Sequence, residues 1–137
     1  MLAEAAFWGL GFPLRSLAGV QGDRSSIGSF EGRAYRWPFR RLRDRAGPLA
    51  LARMVPHRDG HPSLPALDAI GAWVEGWRGP AELVWGLRDP ILGRSGKRMR
   101  EGWPQAPYTE TQAGHFLQEE VPELLANAIL AVAARTG

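Results

Sequence analysis

The chain has 137 residues, of which 45% are hydrophobic and 23% charged; this suits one ordinary folded domain and excludes global disorder. It contains no Cys, which excludes disulfides and thiolate metal sites. The formal net charge is +3, and no apolar run approaches the ~20 residues of a membrane span. The apolar N-terminus lacks a positively charged start and contains Pro13, so it is a poor signal peptide and we expect a cytoplasmic protein.

The first part of the chain, residues 1–79, is predicted to be mostly helix and loop. Pro38 interrupts an aromatic and charged stretch, and Pro48 stands in the first turn of a helix. Ser63 is predicted to cap a further helix, Leu64–Trp77, whose apolar residues recur every three or four positions. That spacing predicts an amphipathic helix with one buried face.

The second part, residues 80–137, is predicted to be a βαβα unit. An apolar strand, Ala81–Leu87, is followed by a charged helix, Arg94–Gly102, and by a second strand, Ala106–Gln112. Two strands joined through a helix are most simply parallel, with a right-handed crossover. A last helix follows His115 and has the predicted buried residues Leu124, Leu125, Ala128, Ile129 and Val132. The predicted fold class is therefore α/β, with a helical segment preceding two parallel strands.

Asp89 and His115 are the candidate catalytic residues. Each follows one of the two predicted strands, and parallel strands end at the same edge of a sheet, ~4.8 Å apart. The two side chains are therefore expected to meet there. An Asp beside a His fixes the tautomer of the imidazole and stabilises its protonated form, so that the His can act as a general base.

The other two histidines are interpreted as solvated loop residues. His57 and His61 lie four apart in a polar turn with Asp59 between them, and no further ligand is near in sequence. We therefore expect no metal and no cofactor. The segment 33–45 mixes Arg with aromatic residues and is open to interpretation as a nucleic-acid contact surface, but its aromatics serve equally well as core, and we expect no nucleic-acid partner.

Two motifs carry a resemblance to a known family. Gly86-Leu87-Arg88-Asp89-Pro90 and Ala113-Gly114-His115-Phe116-Leu117-Gln118-Glu119-Glu120 resemble the C-terminal half of an α/β-hydrolase, in particular of the haloalkane dehalogenase and epoxide hydrolase-like enzymes. Three further stretches resemble the helical cap of those enzymes: Tyr35–Phe39, Asp44–Leu49 and Ala52–Pro56. The resemblance implies a partial α/β-hydrolase fold, with 1–79 as a cap-like segment and 80–137 as part of the core.

The same resemblance implies the roles of the site residues. Asp89 would be the acid of the catalytic triad and His115 its base. The substrate of the whole enzyme would be a small apolar ester, epoxide or haloalkane, attacked by a Ser or an Asp. The candidate walls of the substrate pocket are apolar residues of the cap-like segment, namely Trp8, Phe12, Trp37, Phe39 and Met54.

The nucleophile of that family is not found in the sequence. No Gly-x-Ser-x-Gly elbow is present, and the alternative elbow of the dehalogenases, an Asp followed by Trp and Gly, is also absent. We therefore expect an N-terminally truncated hydrolase that is inactive alone, and we expect the uncovered edge of strand 81–87 to promote self-association. Two alternatives stay open: a non-catalytic binding module that uses segment 33–45, and a subunit that completes a hydrolase with a partner chain.

Overall fold

The structure is a computed structural model that describes residues 14–136. By its internal contacts the chain divides into two compact units. The first consists of Met1–Ser16 and Ser29–Trp77, and the second of Leu17–Gly28 and Arg78–Gly137. The described part of the first unit is helical, whereas the second contains both strands. This arrangement of helices with a two-stranded parallel sheet confirms the predicted α/β fold class.

The part of the first unit that the structure describes contains three α-helices: α1 (Ser29–Arg36), α2 (Ala46–Arg53) and α3 (Leu64–Gly76). Two short 3₁₀ helices, Trp37–Phe39 and Leu42–Arg45, connect α1 to α2. Pro38 lies in the first of them, because a proline lacks the N–H that would continue α1. Arg45 Nε donates to the carbonyl of Phe39 at 3.2 Å and fastens this connection.

His61 is a buried structural residue of the first unit, and the expectation that it is solvated is wrong. Only 8% of it is exposed. Its Nδ1 accepts a hydrogen bond from the backbone N–H of Ser63 at 3.2 Å, so Nε2 carries the proton and donates to the carbonyl of Arg53 at 3.1 Å. The imidazole thus joins the end of α2 to the start of α3.

Helix α3 differs from its prediction in two ways. Ser63 has a helical backbone conformation and its side chain makes no capping hydrogen bond, so the helix begins without the predicted cap. The apolar face is also largely exposed: Ile70 is 57% and Leu67 45% accessible. The spacing identified the helix correctly, but within the described residues this face is not packed into a core.

The second unit carries β1 (Leu83–Gly86), α4 (Gly96–Gly102), β2 (Tyr108–Thr111), α5 (Leu117–Glu120) and α6 (Pro122–Ala134), with 3₁₀ helices at Leu17–Val20, Arg24–Ser26 and Gly93–Ser95. The two strands pair in parallel, with Leu83 opposite Tyr108 and Gly86 opposite Thr111. Hydrogen bonds from Leu83 N–H to Pro107 and from Leu87 N–H to Thr111 frame the ladder, each 2.9 Å long. Both strands are shorter than predicted because the flanking residues turn away into loops.

The region after His115 forms two helices where one was predicted. Val121 separates α5 from α6 with a non-helical backbone conformation, since the residue before a proline is disfavoured in a helix. Four residues of the predicted buried face of α6 are half-buried, namely Leu124, Leu125, Ala128 and Val132. Ile129 is 68% exposed, so its predicted burial is wrong.

The structural division of the chain differs from the sequence-based one in one segment. Residues 17–28 group with the second unit, because the backbone of Gly22 and the side chain of Gln21 bond to residues near His115. The interpretation of 1–79 as a cap and 80–137 as core stays a prediction. No helix within residues 14–136 combines the length and apolar character needed to cross a bilayer.

Candidate active site

Asp89 lies in a tight turn directly after β1. Its backbone N–H donates to Gly86 at 3.3 Å, its carbonyl accepts from Gly93 at 3.0 Å, and its Oδ1 accepts from the N–H of Ile91 at 2.7 Å. The turn is the type that an Asp followed by a Pro favours, because the carboxylate bonds to the backbone two residues on. One carboxylate oxygen is thereby used to shape the loop, and the other faces away from it.

His115 lies in the corresponding loop after β2. The backbone N–H of His115 donates to the carbonyl of Val20 at 2.9 Å. Gly114 precedes it, and a Cβ placed on Gly114 would collide with the backbone of Val20, Gln21 and Gly22. Only a glycine permits this close approach, so the residue before the histidine allows the loop to lie directly against segment 20–22.

The two loops bring the predicted pair into contact. His115 Nδ1 lies 3.0 Å from Asp89 Oδ2, and the side chains are 26% and 6% exposed, respectively. The parallel pairing of β1 with β2 is the cause, because it ends both strands at one edge. The predicted proximity is therefore present, while the catalytic role of the two residues stays a prediction.

The protonation of Asp89 reflects several opposing effects. Burial of the carboxyl group acts to raise its pKa, but the hydrogen bonds with His115 and with the N–H groups of Ile91 and Leu92 outweigh it, so the pKa of Asp89 lies below its ordinary value. Asp89 is accordingly a carboxylate at neutral pH. A carboxylate at Nδ1 favours the tautomer with the proton on that nitrogen, which leaves the lone pair on Nε2.

Two residues that hold this site were not identified from the sequence. The carboxylate of Glu120 accepts hydrogen bonds from the N–H groups of Gly22, Asp23 and Gly114. The buried side chain of Gln21 bonds to both backbone groups of Phe116. In the sequence, Glu120 stands at the end of the motif around His115, but its tertiary contacts have no local sequence signal.

Of the residues proposed as pocket walls, Trp37, Phe39 and Met54 lie in the described part of the first unit. Trp8 and Phe12 lie outside the described residues. Trp37 and Met54 are 67% and 59% exposed, and Phe39 is half-buried. Their role in binding substrate stays a prediction. On the second unit, an open depression of about 750 Å³ lies over the loop of Asp89.

The two other candidate sites are a metal site and the nucleic-acid contact surface considered in segment 33–45. Among residues 14–136, no group of three or more His, Asp or Glu side chains is placed to hold a metal ion. In segment 33–45, the guanidinium group of Arg40 lies 4.1 Å from the centre of the Trp37 ring. This cation–π contact occupies one face of the exposed indole.

Comparison with known proteins finds partial-length relatives. The chain is 33% identical over 99 residues to haloalkane dehalogenase 1 of Mycobacterium tuberculosis. This match covers 70% of this chain and 33% of the relative. It is 33% identical over 103 residues to a haloalkane dehalogenase of Mycolicibacterium paratuberculosis, with the same two shares. It is also 30% identical over 118 residues to the uncharacterised hydrolase YugF of Bacillus subtilis. That match covers 85% of this chain and 40% of the relative.

The chain thus spans about a third of the length of the first two relatives. No family model matches it, and no solved structure does. The sequence similarity to these hydrolases agrees with the parallel strands and with the helices around them. These findings relate the chain to the α/β-hydrolase family, with haloalkane dehalogenases among its relatives.

Proposed function

We propose that this chain provides the acid and the base of an α/β-hydrolase active site. The observation that supports the proposal is the 3.0 Å contact between Asp89 and His115 at the shared end of two parallel strands. Asp89 holds the imidazole with its Nδ1–H toward the carboxylate, and His115 accepts a proton at Nε2. Asp89 then stabilises the positive charge that develops on the ring.

The chemistry of such a pair is hydrolysis through a covalent intermediate. With a Ser nucleophile, His115 takes the hydroxyl proton as the Ser attacks an ester carbonyl, and it passes this proton to the alcohol that leaves. His115 then takes a proton from the water that attacks the acyl-enzyme and returns it to the Ser as the acid leaves. With an Asp nucleophile, the carboxylate displaces a halide or opens an epoxide and forms an alkyl ester. His115 then removes a proton from the water that attacks the carbonyl carbon of this ester, and the alcohol leaves.

The names of the relatives and the apolar character of the proposed pocket support the substrate class that we propose. Two relatives are named haloalkane dehalogenases, and we propose a small apolar haloalkane, epoxide or ester. The residues proposed to contact it are Trp8, Phe12, Trp37, Phe39 and Met54. The pair itself is compatible with all three substrates, because the identity of the nucleophile decides which bond is broken.

We further propose that the nucleophile is not contributed by this chain. The 137 residues contain neither Gly-x-Ser-x-Gly nor an Asp followed by Trp and Gly. The purified chain is therefore expected to show no turnover of p-nitrophenyl acetate or 1,2-dibromoethane above background. Turnover that is abolished by His115→Ala would contradict this part of the proposal and would place a nucleophile within the chain.

A chimera tests the acid–base role directly. This chain would replace the matched third of the Mycobacterium tuberculosis haloalkane dehalogenase, and the remaining two thirds of that enzyme are expected to supply the nucleophile. We expect the chimera to turn over 1,2-dibromoethane and expect His115→Ala to lower the rate by about 10²- to 10⁴-fold. His57→Ala is the control, because His57 lies in an exposed turn of the first unit. A folded chimera that is inactive, or one that His115→Ala leaves unchanged, would contradict the proposal.

A further inference from the structure

The loop that carries His115 is held by hydrogen bonds from a segment distant in sequence. The N–H of His115 donates to Val20 at 2.9 Å, and the N–H of Phe116 donates to Gln21 Oε1 at 2.9 Å. Gln21 Nε2 returns a bond to the carbonyl of Phe116 at 3.1 Å. Because Gln21 is only 6% exposed, these bonds form in a largely dry environment, where each is costly to lose.

Glu120 adds further hydrogen bonds with the same loop and the same distant segment. Its Oε1 accepts from Gly114 at 2.8 Å and from Gly22 at 2.9 Å, and its Oε2 accepts from Asp23 at 2.7 Å. Hydrogen bonds from N–H groups to a carboxylate are about twice as strong as bonds between neutral groups. One side chain therefore binds the residue before His115 to the segment 22–23.

The packing around this carboxylate requires glycines. A Cβ on Gly22 would collide with the carbonyl of Gln112, and one on Gly114 would collide with the carbonyl of Val20. The absence of side chains at both positions lets the two N–H groups converge on the same carboxylate oxygen. The geometry is thus built jointly by Glu120 and by the two glycines.

We propose that Glu120 is a positioning residue for the Asp89–His115 pair. Asp89 is fixed by its own turn through Ile91, so the 3.0 Å contact depends on where the His115 loop is held. Glu120 holds that loop through Gly114. Any consequence for catalysis rests on the proposed function, whereas the effect on the ring of His115 does not.

The test uses nuclear magnetic resonance on the full chain with Glu120→Gln, which keeps the shape of the side chain but removes its charge and one acceptor. We expect hydrogen exchange of the amides of Gly22, Asp23 and Gly114 to become about tenfold faster or more. We also expect the ring nitrogens of His115 to change from the Nδ1–H tautomer of the wild type to a mixture of both tautomers. The second readout separates positioning from a loss of stability alone.

Glu119→Gln is the matched control, because it removes the same charge one residue earlier on the same helical turn, and it is expected to leave the ring of His115 unchanged. The proposal is overturned if Glu120→Gln accelerates amide exchange but leaves the tautomer as in the wild type, if it changes neither, or if Glu119→Gln has an equal effect. Should Glu120→Gln not fold, Glu120→Asp is measured in its place. Its side chain is one methylene group shorter, so an unchanged tautomer of the His115 ring would overturn the proposal.

Discussion

At the scale of single residues, the site depends on how Asp89 divides its two carboxylate oxygens. Oδ1 accepts from Ile91 and shapes the turn, whereas Oδ2 faces His115 at 3.0 Å. An Asp before a Pro is read from sequence either as a turn residue or as the acid of a catalytic pair. Here it is placed for both, because each oxygen has a separate partner. The turn that Oδ1 stabilises also directs Oδ2 toward His115.

The lowered pKa of Asp89 predicts how stability depends on pH. The ordinary pKa of the carboxyl is 3.8, and the pKa of Asp89 in the folded state lies below it. The ionised carboxylate therefore stabilises the fold fully above the ordinary pKa, and this contribution is lost as the pH falls through the folded-state pKa. Urea unfolding of wild type and Asp89→Asn should therefore differ by a constant free energy at neutral pH. The difference should shrink in acid below about pH 4. A difference in unfolding free energy between the two proteins that stays constant down to about pH 2 would show that the carboxylate is not stabilised by its partners.

The residues of the pair were predictable from sequence, and the residues that support it were not. Asp89 and His115 each follow an apolar or β-rich run, so the two strand signals alone place them at one edge. Glu120 and Gln21 bond to residues 98 and 95 positions away in sequence, respectively. Local patterns carry no information about such contacts, because they form only after the two segments have met.

At the scale of elements, periodicity identified the helices and strands more reliably than their ends or their environment. The parallel pairing of β1 with β2 agrees with the prediction. The break at Val121 was missed, although Pro122 signals it. The exposure of Ile70 and Ile129 was also missed, since a spacing of three or four residues shows that a helix has an apolar face but not what covers it.

The His115 loop yields a prediction about Gly114. Gly114→Ala should destabilise the second unit by about 2 kcal/mol or more, since the added Cβ would meet backbone atoms of Val20 and Gly22 that cannot rotate away. Thermal or urea unfolding measures the effect. Gly102→Ala is the control in the same unit, because no atom outside its own helix lies within 4 Å of a Cβ placed there. Equal stability of the two variants would show that the loop does not pack as closely as described.

At the scale of the whole molecule, the second unit leaves apolar surface open beside its sheet. A groove of about 380 Å³ lies along β1 and α6 and is lined by Glu82, Val84, Leu125, Ala128, Ile129 and Val132. The described sheet has two strands, so β1 has one edge that no described strand covers. Exposed strand edges and apolar patches of this kind favour pairing between chains, and we propose that the chain self-associates through β1.

The hydrogen-bond pattern selects a variant that tests this. Leu83 and Leu87 direct their N–H groups to β2, and backbone groups alternate in a strand, so Val84 directs its N–H to the open edge. Val84→Pro removes that donor and is expected to make the chain monomeric in sedimentation velocity, with the β1–β2 pairing retained. Glu110→Pro on the outer edge of β2 is the matched variant, and it should leave association unchanged, because the charged Glu110 already discourages pairing there. A monomeric wild type would contradict the prediction.

We propose above all that Asp89 holds His115 in the tautomer of a general base, and the ring-nitrogen resonances of His115 in the full chain test this proposal most directly. We predict that at a pH where the ring is neutral, the wild type shows Nδ1 protonated and Nε2 bare, and that Asp89→Asn reverses or mixes the two tautomers. Wild-type resonances that already report Nε2–H, or that Asp89→Asn leaves unchanged, would contradict the account.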